Sequence, residues 1–181
     1  KDASSQLKVF DMQGQPLYEI DLPTLGTVGS LSASAKSDQL FYSFSSFTVP
    51  TQIWQHDLKS KESSLYFKPQ TDFNPDEYVT RQVFYRSKDQ TKVPMFLVHK
   101  KGLSQDKKHP VFLYGYGGFN ISLTPGFSQS NMVWLENGGI YAMANLRGGG
   151  EYGEKWHKQG MKLNKQNVFD DFIGAAEYLV E

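Results

Sequence analysis

Apolar and polar residues alternate in residues 40–45, and this period of two is typical of a half-buried β-strand, while short strand-like segments separated by turns make up the rest of the first seventy residues. The alternation is clearest where Leu40, Tyr42 and Phe44 occupy every second position. A Gln-Gly-Gln-Pro turn at 13–16 predicts that the two strands beside it form a hairpin. The strands predicted in this part of the chain span residues 7–10, 17–21, 28–32, 40–45, 52–58 and 64–67.

The last four of these strands lie within about forty residues, which is the length of one blade of a β-propeller. A single blade cannot bury both of its faces, so it requires neighbouring blades. Residues 1–70 are therefore predicted to form the end of a β-propeller, and the two preceding strands belong to the previous blade. A small antiparallel sandwich fits the same pattern equally well. Pro69, Asn74 and Pro75 then mark a linker.

The pattern changes after this linker. Residues 111–114 and 139–146 are almost continuously apolar, which predicts strands covered on both faces. Apolar residues recur at helical spacing in 168–180, and Asn167 is expected to cap this helix. Residues 71–181 are therefore predicted to be α/β, and we expect the chain to end within an element of a longer protein. The other elements predicted here are a strand hairpin at 79–86 and 93–100 and helices at 128–136 and 153–159.

The composition narrows the class of protein. Lysine plus arginine and aspartate plus glutamate both number 19, so the formal net charge is zero and no nucleic-acid partner is expected. The chain contains no cysteine, which excludes disulfides, a thiolate nucleophile and a zinc–thiolate site. No apolar segment approaches the ~18 residues of a membrane span, so no membrane partner is expected. A cysteine-free chain suits the cytoplasm, and a periplasmic location is the alternative.

The candidate chemistry lies in a glycine-rich segment directly after an apolar one. Residues 114–120 read Tyr-Gly-Tyr-Gly-Gly-Phe-Asn. Gly115, Gly117 and Gly118 tolerate positive φ, so they allow the backbone to turn sharply and to approach a ligand. The carboxyl end of a strand in an open α/β sheet is a common binding position, and a tyrosine hydroxyl there can donate a hydrogen bond to an oxyanion. A glycine-rich structural turn with packed tyrosines is the alternative.

Two further segments extend this pattern. Residues 145–157 contain Asn-Leu-Arg-Gly-Gly-Gly-Glu-Tyr-Gly and then Trp-His, and residues 167–179 form most of the predicted final helix. In order and spacing, these segments together with 114–120 resemble the prolyl oligopeptidase family, and residues 1–70 resemble the end of its propeller domain. The resemblance extends through essentially the whole chain. It implies the N-terminal part of an α/β-hydrolase domain, preceded by the last blade of a β-propeller.

The resemblance also implies an activity and a site. Members of the family are serine endopeptidases that hydrolyse short peptides on the carboxyl side of proline through an acyl-enzyme. Their second tyrosine in the first glycine string stabilises the oxyanion, which corresponds to Tyr116, and the next phenylalanine lines the proline pocket, which corresponds to Phe119. Tyr114 is the other candidate donor, but its place at the strand end favours packing. No metal or organic cofactor is implied. The implied partners are short proline-containing peptides and the remainder of the parent polypeptide.

The catalytic triad of this family is absent from the chain. The serine of an α/β-hydrolase lies in a Gly-x-Ser-x-Gly elbow, and the sequence contains no such motif. We therefore expect the serine, aspartate and histidine to lie beyond residue 181, and the 181-residue chain alone to be inactive. His157 is not expected to be catalytic, because the family's catalytic histidine lies near the C-terminus.

Other interpretations remain open at this point. Residues 148–153 match the dinucleotide-binding pattern G-x-G-x-x-G, but no second strand of a βαβ unit is predicted after them. We expect these glycines to allow close packing, with Arg147 and Glu151 forming an ion pair. Asp170 and Asp171 are expected to point apart and to act as helix N-terminal charges. A non-catalytic scaffold or binding module of the same fold is a further class. So is a related peptidase that cleaves after basic residues or from an N-terminus.

Overall fold

The computed structural model describes residues 2–104 and 108–181. These residues divide into two compact units. The first contains residues 3–75 and 124–128, and the second contains Asp2, the described part of 76–123, and residues 129–181. The sequence did not indicate that 124–128 join the first unit, where Thr27 Oγ1 donates to the Pro125 carbonyl. The domain boundary at residue 70 stays a prediction.

The first unit is built from six strands. Strands β1 (Leu7–Phe10) and β2 (Pro16–Ile20) form an antiparallel hairpin, as the turn residues predict. All six strands predicted from the sequence in this part are present, and their ends agree within one residue. The remaining four form an antiparallel sheet in chain order: β3 (Thr27–Ala33), β4 (Gln39–Ser45), β5 (Gln52–Asp57) and β6 (Ser63–Phe67).

Strand β4 supplies the centre of the first unit's core. Tyr42 and Phe44 are 1% and 0% exposed, and they pack with the buried Ile20 of β2. This burial confirms the period-two interpretation of residues 40–45. The core therefore joins the hairpin to the four-stranded sheet.

A buried histidine makes a second connection between the hairpin and the sheet. The ring nitrogens of His56 lie 3.1 Å from Tyr18 Oη and 2.9 Å from Ser63 Oγ. Burial lowers the pKa of His56, and the nearby Asp57 carboxylate opposes this with a smaller effect. The neutral imidazole is therefore the form that the fold favours.

The second unit is a four-stranded sheet with helices. Its strands are β7 (Tyr78–Arg86), β8 (Lys92–Lys100), β9 (Val111–Gly115) and β10 (Ile140–Ala144). They lie in the order β7-β8-β10-β9, in which β9 and β10 are parallel and the other pairs are antiparallel. Two short 3₁₀ turns, Pro75–Glu77 and Lys162–Asn164, were not predicted. Its helices are α1 (Gln129–Glu136), α2 (Gly153–Lys158) and α3 (Gln166–Val180).

The sheet order explains which strands are buried. Strand β10 is central, and Ala142 and Ala144 are fully buried in it. Strand β9 lies at the edge, where Phe112 and Tyr114 are 48% and 40% exposed. Within this chain, which the sequence predicts to be part of a longer protein, β10 is covered on both faces and β9 only in part. The main core of this unit contains Tyr85, Val93, Met95, Ala142, Ala144, Leu146, Trp156, Val168 and Ala175.

Helix α3 begins differently from the prediction. Asn167 lies inside the helix and donates its side-chain amide to the Gln159 carbonyl at 2.8 Å, so it is not the cap. Lys165 takes the capping position with helical dihedral angles and no side-chain cap. Val168 is buried, whereas Val180 is 88% exposed, so the apolar face contributes only in part to the core. Within the described residues, no helix is long and apolar enough to cross a membrane.

Candidate active site

The glycine-rich segment forms a constrained loop at the carboxyl end of β9. The φ angles of Gly117, Phe119 and Asn120 are 59°, 52° and 57°, all in the left-handed region. A non-glycine residue held there costs about 1 kcal/mol or more, and such strain clusters at functional sites. The backbone at Phe119 and Asn120 therefore requires support from the surrounding structure.

The three glycines of this loop do not share one role. A β-carbon at Gly117 would lie 2.5 Å from Val168 Cγ1, and the positive φ would add strain. Gly115 has an ordinary φ, but a β-carbon there would lie 2.9 Å from Leu146 Cδ1. At Gly118 the nearest atom would be 3.6 Å away, which is ordinary contact. Of the three glycines predicted to tolerate positive φ, Gly117 adopts it, Gly115 allows a close approach of neighbouring side chains, and Gly118 does neither.

The loop exposes its aromatic side chains. Tyr116 is 44% exposed and Phe119 is 84% exposed. Tyr114, predicted to be a packing residue, is 40% exposed, so burial does not distinguish it from Tyr116. The Tyr116 ring lies beside Gly118, because a β-carbon there would lie 3.6 Å from Tyr116 Cε1. The ring thus packs along its own loop while much of it remains open to solvent.

The second glycine string packs directly against the first. β-Carbons at Gly148, Gly149 and Gly150 would lie 2.6, 2.8 and 2.6 Å from the carbonyl oxygens of Gly117, Ile121 and Asn120, respectively. In addition, the Asn120 amide donates to the Gly148 carbonyl at 3.1 Å. This confirms the prediction of close packing. It also weighs against the dinucleotide hypothesis, because protein backbone occupies the space that a pyrophosphate would need beside these glycines.

Arg147 makes a different ion pair from the one predicted. Its Nη2 lies 2.6 Å from Asp171 Oδ1, and its Nη1 lies 2.5 Å from Asp89 Oδ2. The side chains of Arg147 and Asp171 are 2% and 0% exposed, whereas that of Asp89 is 47% exposed. Glu151 instead accepts hydrogen bonds from the Leu123 amide and from the side-chain amide of Asn145. The predicted Arg147–Glu151 pair is therefore wrong.

The charges of this network stabilise one another. Burial acts to lower the pKa of Arg147, but hydrogen bonds to Asp171 and Asp89 outweigh it and raise that pKa. The hydrogen bond from Arg147 is the main cause that holds the pKa of Asp89 at about 2. Asp171 is thus the buried counter-ion of Arg147 and not an exposed helix charge. Asp170 accepts a hydrogen bond from Gln166 instead, so the two aspartates do point apart.

His157 contributes to the loop's structure. Its Nδ1 lies 2.7 Å from the Gly148 carbonyl oxygen and donates to it. No group of three or more His, Cys, Asp or Glu side chains within 2–104 and 108–181 is arranged to hold a metal ion.

Sequence reasoning missed two residues of the site. Lys165 donates from Nζ to the Gly117 carbonyl at 2.8 Å, and Asp89 binds Arg147. Their partners lie 48 and 58 positions away along the chain, so no local pattern could have indicated them. Both contacts depend on the sheet order.

The sheet and its loop define a class of protein. The parallel pair β9–β10, with a glycine-rich loop at the carboxyl end of β9, is the opening of an α/β-hydrolase domain, and the first unit contains a blade of a β-propeller. Residues 125–181 match the model of the prolyl oligopeptidase family, and residues 1–69 match the model of that family's N-terminal β-propeller domain. The chain belongs to the prolyl oligopeptidase family.

Individual relatives are similar over the full chain. This chain is 52% identical to the prolyl endopeptidase of Elizabethkingia miricola over 179 residues and 45% identical to that of Dictyostelium discoideum over 185 residues. These matches cover 99% and 100% of the chain but 25% and 24% of the relatives, so the chain spans about a quarter of their length.

Solved structures agree with this similarity. A prolyl endopeptidase structure matches with a TM-score of 0.90 and 49% identity, over 99% of this chain and 27% of that one. Prolyl oligopeptidase B from Galerina marginata, bound to a 35mer hydrolysis and macrocyclization substrate, matches with a TM-score of 0.89 and 34% identity. This match covers 99% of this chain and 26% of that one.

Proposed function

We propose that this chain is the part of a serine endopeptidase that supplies the oxyanion tyrosine and one wall of the proline pocket. Residues 1–70 would end the propeller, and residues 71–181 would begin the catalytic domain. The observation that carries the proposal is the position of Tyr116, which is 44% exposed on a constrained loop at the carboxyl end of β9. The names of the relatives support cleavage of peptides at proline.

In the proposed reaction, a serine outside this chain attacks the carbonyl carbon of the substrate's proline residue. The carbonyl oxygen becomes an oxyanion, and Tyr116 Oη donates a hydrogen bond to it. This bond strengthens as negative charge develops, so it stabilises the transition state more than the substrate. A histidine outside this chain takes the serine proton and gives it to the leaving amine, whose departure breaks the C–N bond and leaves an acyl-enzyme that water then hydrolyses.

Phe119 is proposed to pack on the proline ring of the substrate. Its ring is 84% exposed, and its backbone is held at a φ of 52°. Burying an aromatic side chain in that position against the apolar ring of a ligand is favourable. The proposed substrates are accordingly short peptides that contain proline.

The experiment compares two tyrosine variants in the parent protein, extended to the length of its relatives. Cleavage of a Gly-Pro fluorogenic amide is measured for the wild type, Tyr116→Phe and the matched control Tyr114→Phe. We expect Tyr116→Phe to lower kcat by about 10²–10³-fold, as loss of one oxyanion donor does. Tyr114→Phe should remain within about threefold of the wild type, since no role in the reaction is proposed for its hydroxyl.

Three results would contradict the proposal. A large loss in Tyr114→Phe with none in Tyr116→Phe would assign the donor to the other tyrosine. Cleavage of a Gly-Arg amide in preference to Gly-Pro would identify a related peptidase of different specificity. A folded parent that cleaves neither amide would favour a non-catalytic scaffold or binding module.

A further inference from the structure

The ammonium group of Lys165 contacts the backbone of the proposed oxyanion loop. Lys165 stands directly before α3, is half-buried, and donates from Nζ to the Gly117 carbonyl at 2.8 Å. Its ammonium also lies 6.0 Å from the centre of the Phe169 ring, one turn along the helix. Hydrogen bonds from a charged donor are stronger than neutral ones, so this contact is well suited to hold the carbonyl in place.

The residue that accepts this bond is the first of the three left-handed residues in the loop. Gly117 follows Tyr116 and has the left-handed φ of 59°. The next residue, Gly118, lies between the tyrosine and the lysine. A β-carbon at Gly118 would be 3.6 Å from Tyr116 Cε1 and 4.0 Å from Lys165 Nζ. The ring and the ammonium therefore pack on the same short piece of backbone.

We infer that Lys165 is a positioning residue, which fixes the Gly117 carbonyl and thereby holds the Tyr116 hydroxyl where the oxyanion forms. This inference rests on the oxyanion role proposed above for Tyr116. An oxyanion donor is effective only within a narrow range of distances, about 2.7–3.1 Å. A shift of the loop by a fraction of that distance would weaken the bond in the transition state while leaving substrate binding nearly unchanged.

The test is a double-mutant cycle in the parent protein. Lys165→Met keeps the length of the side chain but removes the donor, and Lys165→Arg restores a charged donor. The control Lys155→Met removes one exposed positive charge from α2. For each variant, kcat and KM are measured with the Gly-Pro amide, in both the wild-type and the Tyr116→Phe backgrounds, together with the melting temperature.

We expect Lys165→Met to lower kcat by about tenfold and to change KM by less than about twofold. Lys165→Arg should recover most of that loss, and Lys155→Met should match the wild type. In the Tyr116→Phe background, Lys165→Met should have almost no further effect on kcat, because the group that it positions is gone.

The outcomes separate this inference from the proposed function. If Tyr116→Phe has normal kcat, the oxyanion role fails and the inference fails with it. If Tyr116→Phe is impaired but Lys165→Met is not, only the inference is overturned. Equal kcat losses from Lys165→Met in both backgrounds, with a lower melting temperature, would show that Lys165 supports the fold and does not position Tyr116.

Discussion

Replacing Asp171 by asparagine should strongly destabilise the second unit. The Asp171 carboxylate accepts hydrogen bonds from the backbone amide of Arg147 at 3.0 Å and from its Nη2 at 2.6 Å, and it is fully buried. Asparagine has nearly the same volume, but its NH₂ group would face a donor of Arg147. Of the two described carboxylates that pair with Arg147, the half-exposed Asp89 alone would remain as a counter-charge. Breaking a buried pair in this way costs about 3–5 kcal/mol of unfolding free energy.

Asp89→Asn is the matched control, because Asp89 is the other aspartate whose carboxylate pairs with Arg147. The Asp89 side chain is 47% exposed, so its replacement can be solvated, and an exposed pair contributes about 0–1 kcal/mol. Its effect should also depend on pH. The pKa of Asp89 is held at about 2, below the ordinary value of about 3.9. Its contribution is therefore complete above about pH 5 and is lost as the pH falls from about 4 towards 2.

Differential scanning calorimetry of the parent protein measures both variants, and hydrogen exchange of the amides in α3 localises the change. We expect Asp171→Asn to lower the melting temperature by several degrees and to speed exchange in α3, and Asp89→Asn to have a small effect at neutral pH. Equal effects of the two variants would refute the argument, because burial is the property that distinguishes the two carboxylates.

Three other changes test separate features. Gly117→Ala should lower the melting temperature and kcat of the parent protein, since its β-carbon would lie 2.5 Å from a Val168 methyl. Gly118→Ala should have the melting temperature of the wild type, and equal melting temperatures of the two variants would contradict the close contact between Gly117 and Val168. Phe119→Ala should raise KM for a Gly-Pro amide by about tenfold with little change for a Gly-Ala amide, and an equal rise for both would exclude a proline-specific contact. Because burial lowers the pKa of His56, its stabilising contribution is complete above the unfolded value of about 6.5 and is lost as the pH falls from there through the lower folded pKa. The melting temperature should therefore decrease from about pH 7 to 5 less steeply in His56→Gln than in the wild type, and identical slopes would show that His56 does not titrate on unfolding.

Local patterns predicted the elements well and the contacts between them poorly. The period of two in residues 40–45 identified β4, because alternate burial is recorded directly in the order of side chains. Arg147 was paired with Glu151 because the two are close in sequence, but the structure pairs it with Asp171, 24 positions away. The direction of a side chain from the end of a central strand depends on which helix covers that strand. A single sequence does not contain this information locally.

The N-terminal part of α3 shows why the polar residues that support the candidate site could not be predicted from the sequence pattern. Lys165, Val168 and Asp171 follow one another at intervals of three, which places them on neighbouring positions of one side of the helix. Lys165 binds the Gly117 carbonyl, Val168 packs on Gly117, and Asp171 holds Arg147. The hydrophobic periodicity predicts that only Val168 of these three residues is buried and that Lys165 and Asp171 are exposed to solvent. Their burial arises because the two glycine strings approach the helix so closely that backbone carbonyls and an arginine become its partners. The glycines that identify the site in the sequence therefore also determine which polar side chains of α3 become buried. Nothing in the local sequence around Lys165 and Asp171 indicates that burial.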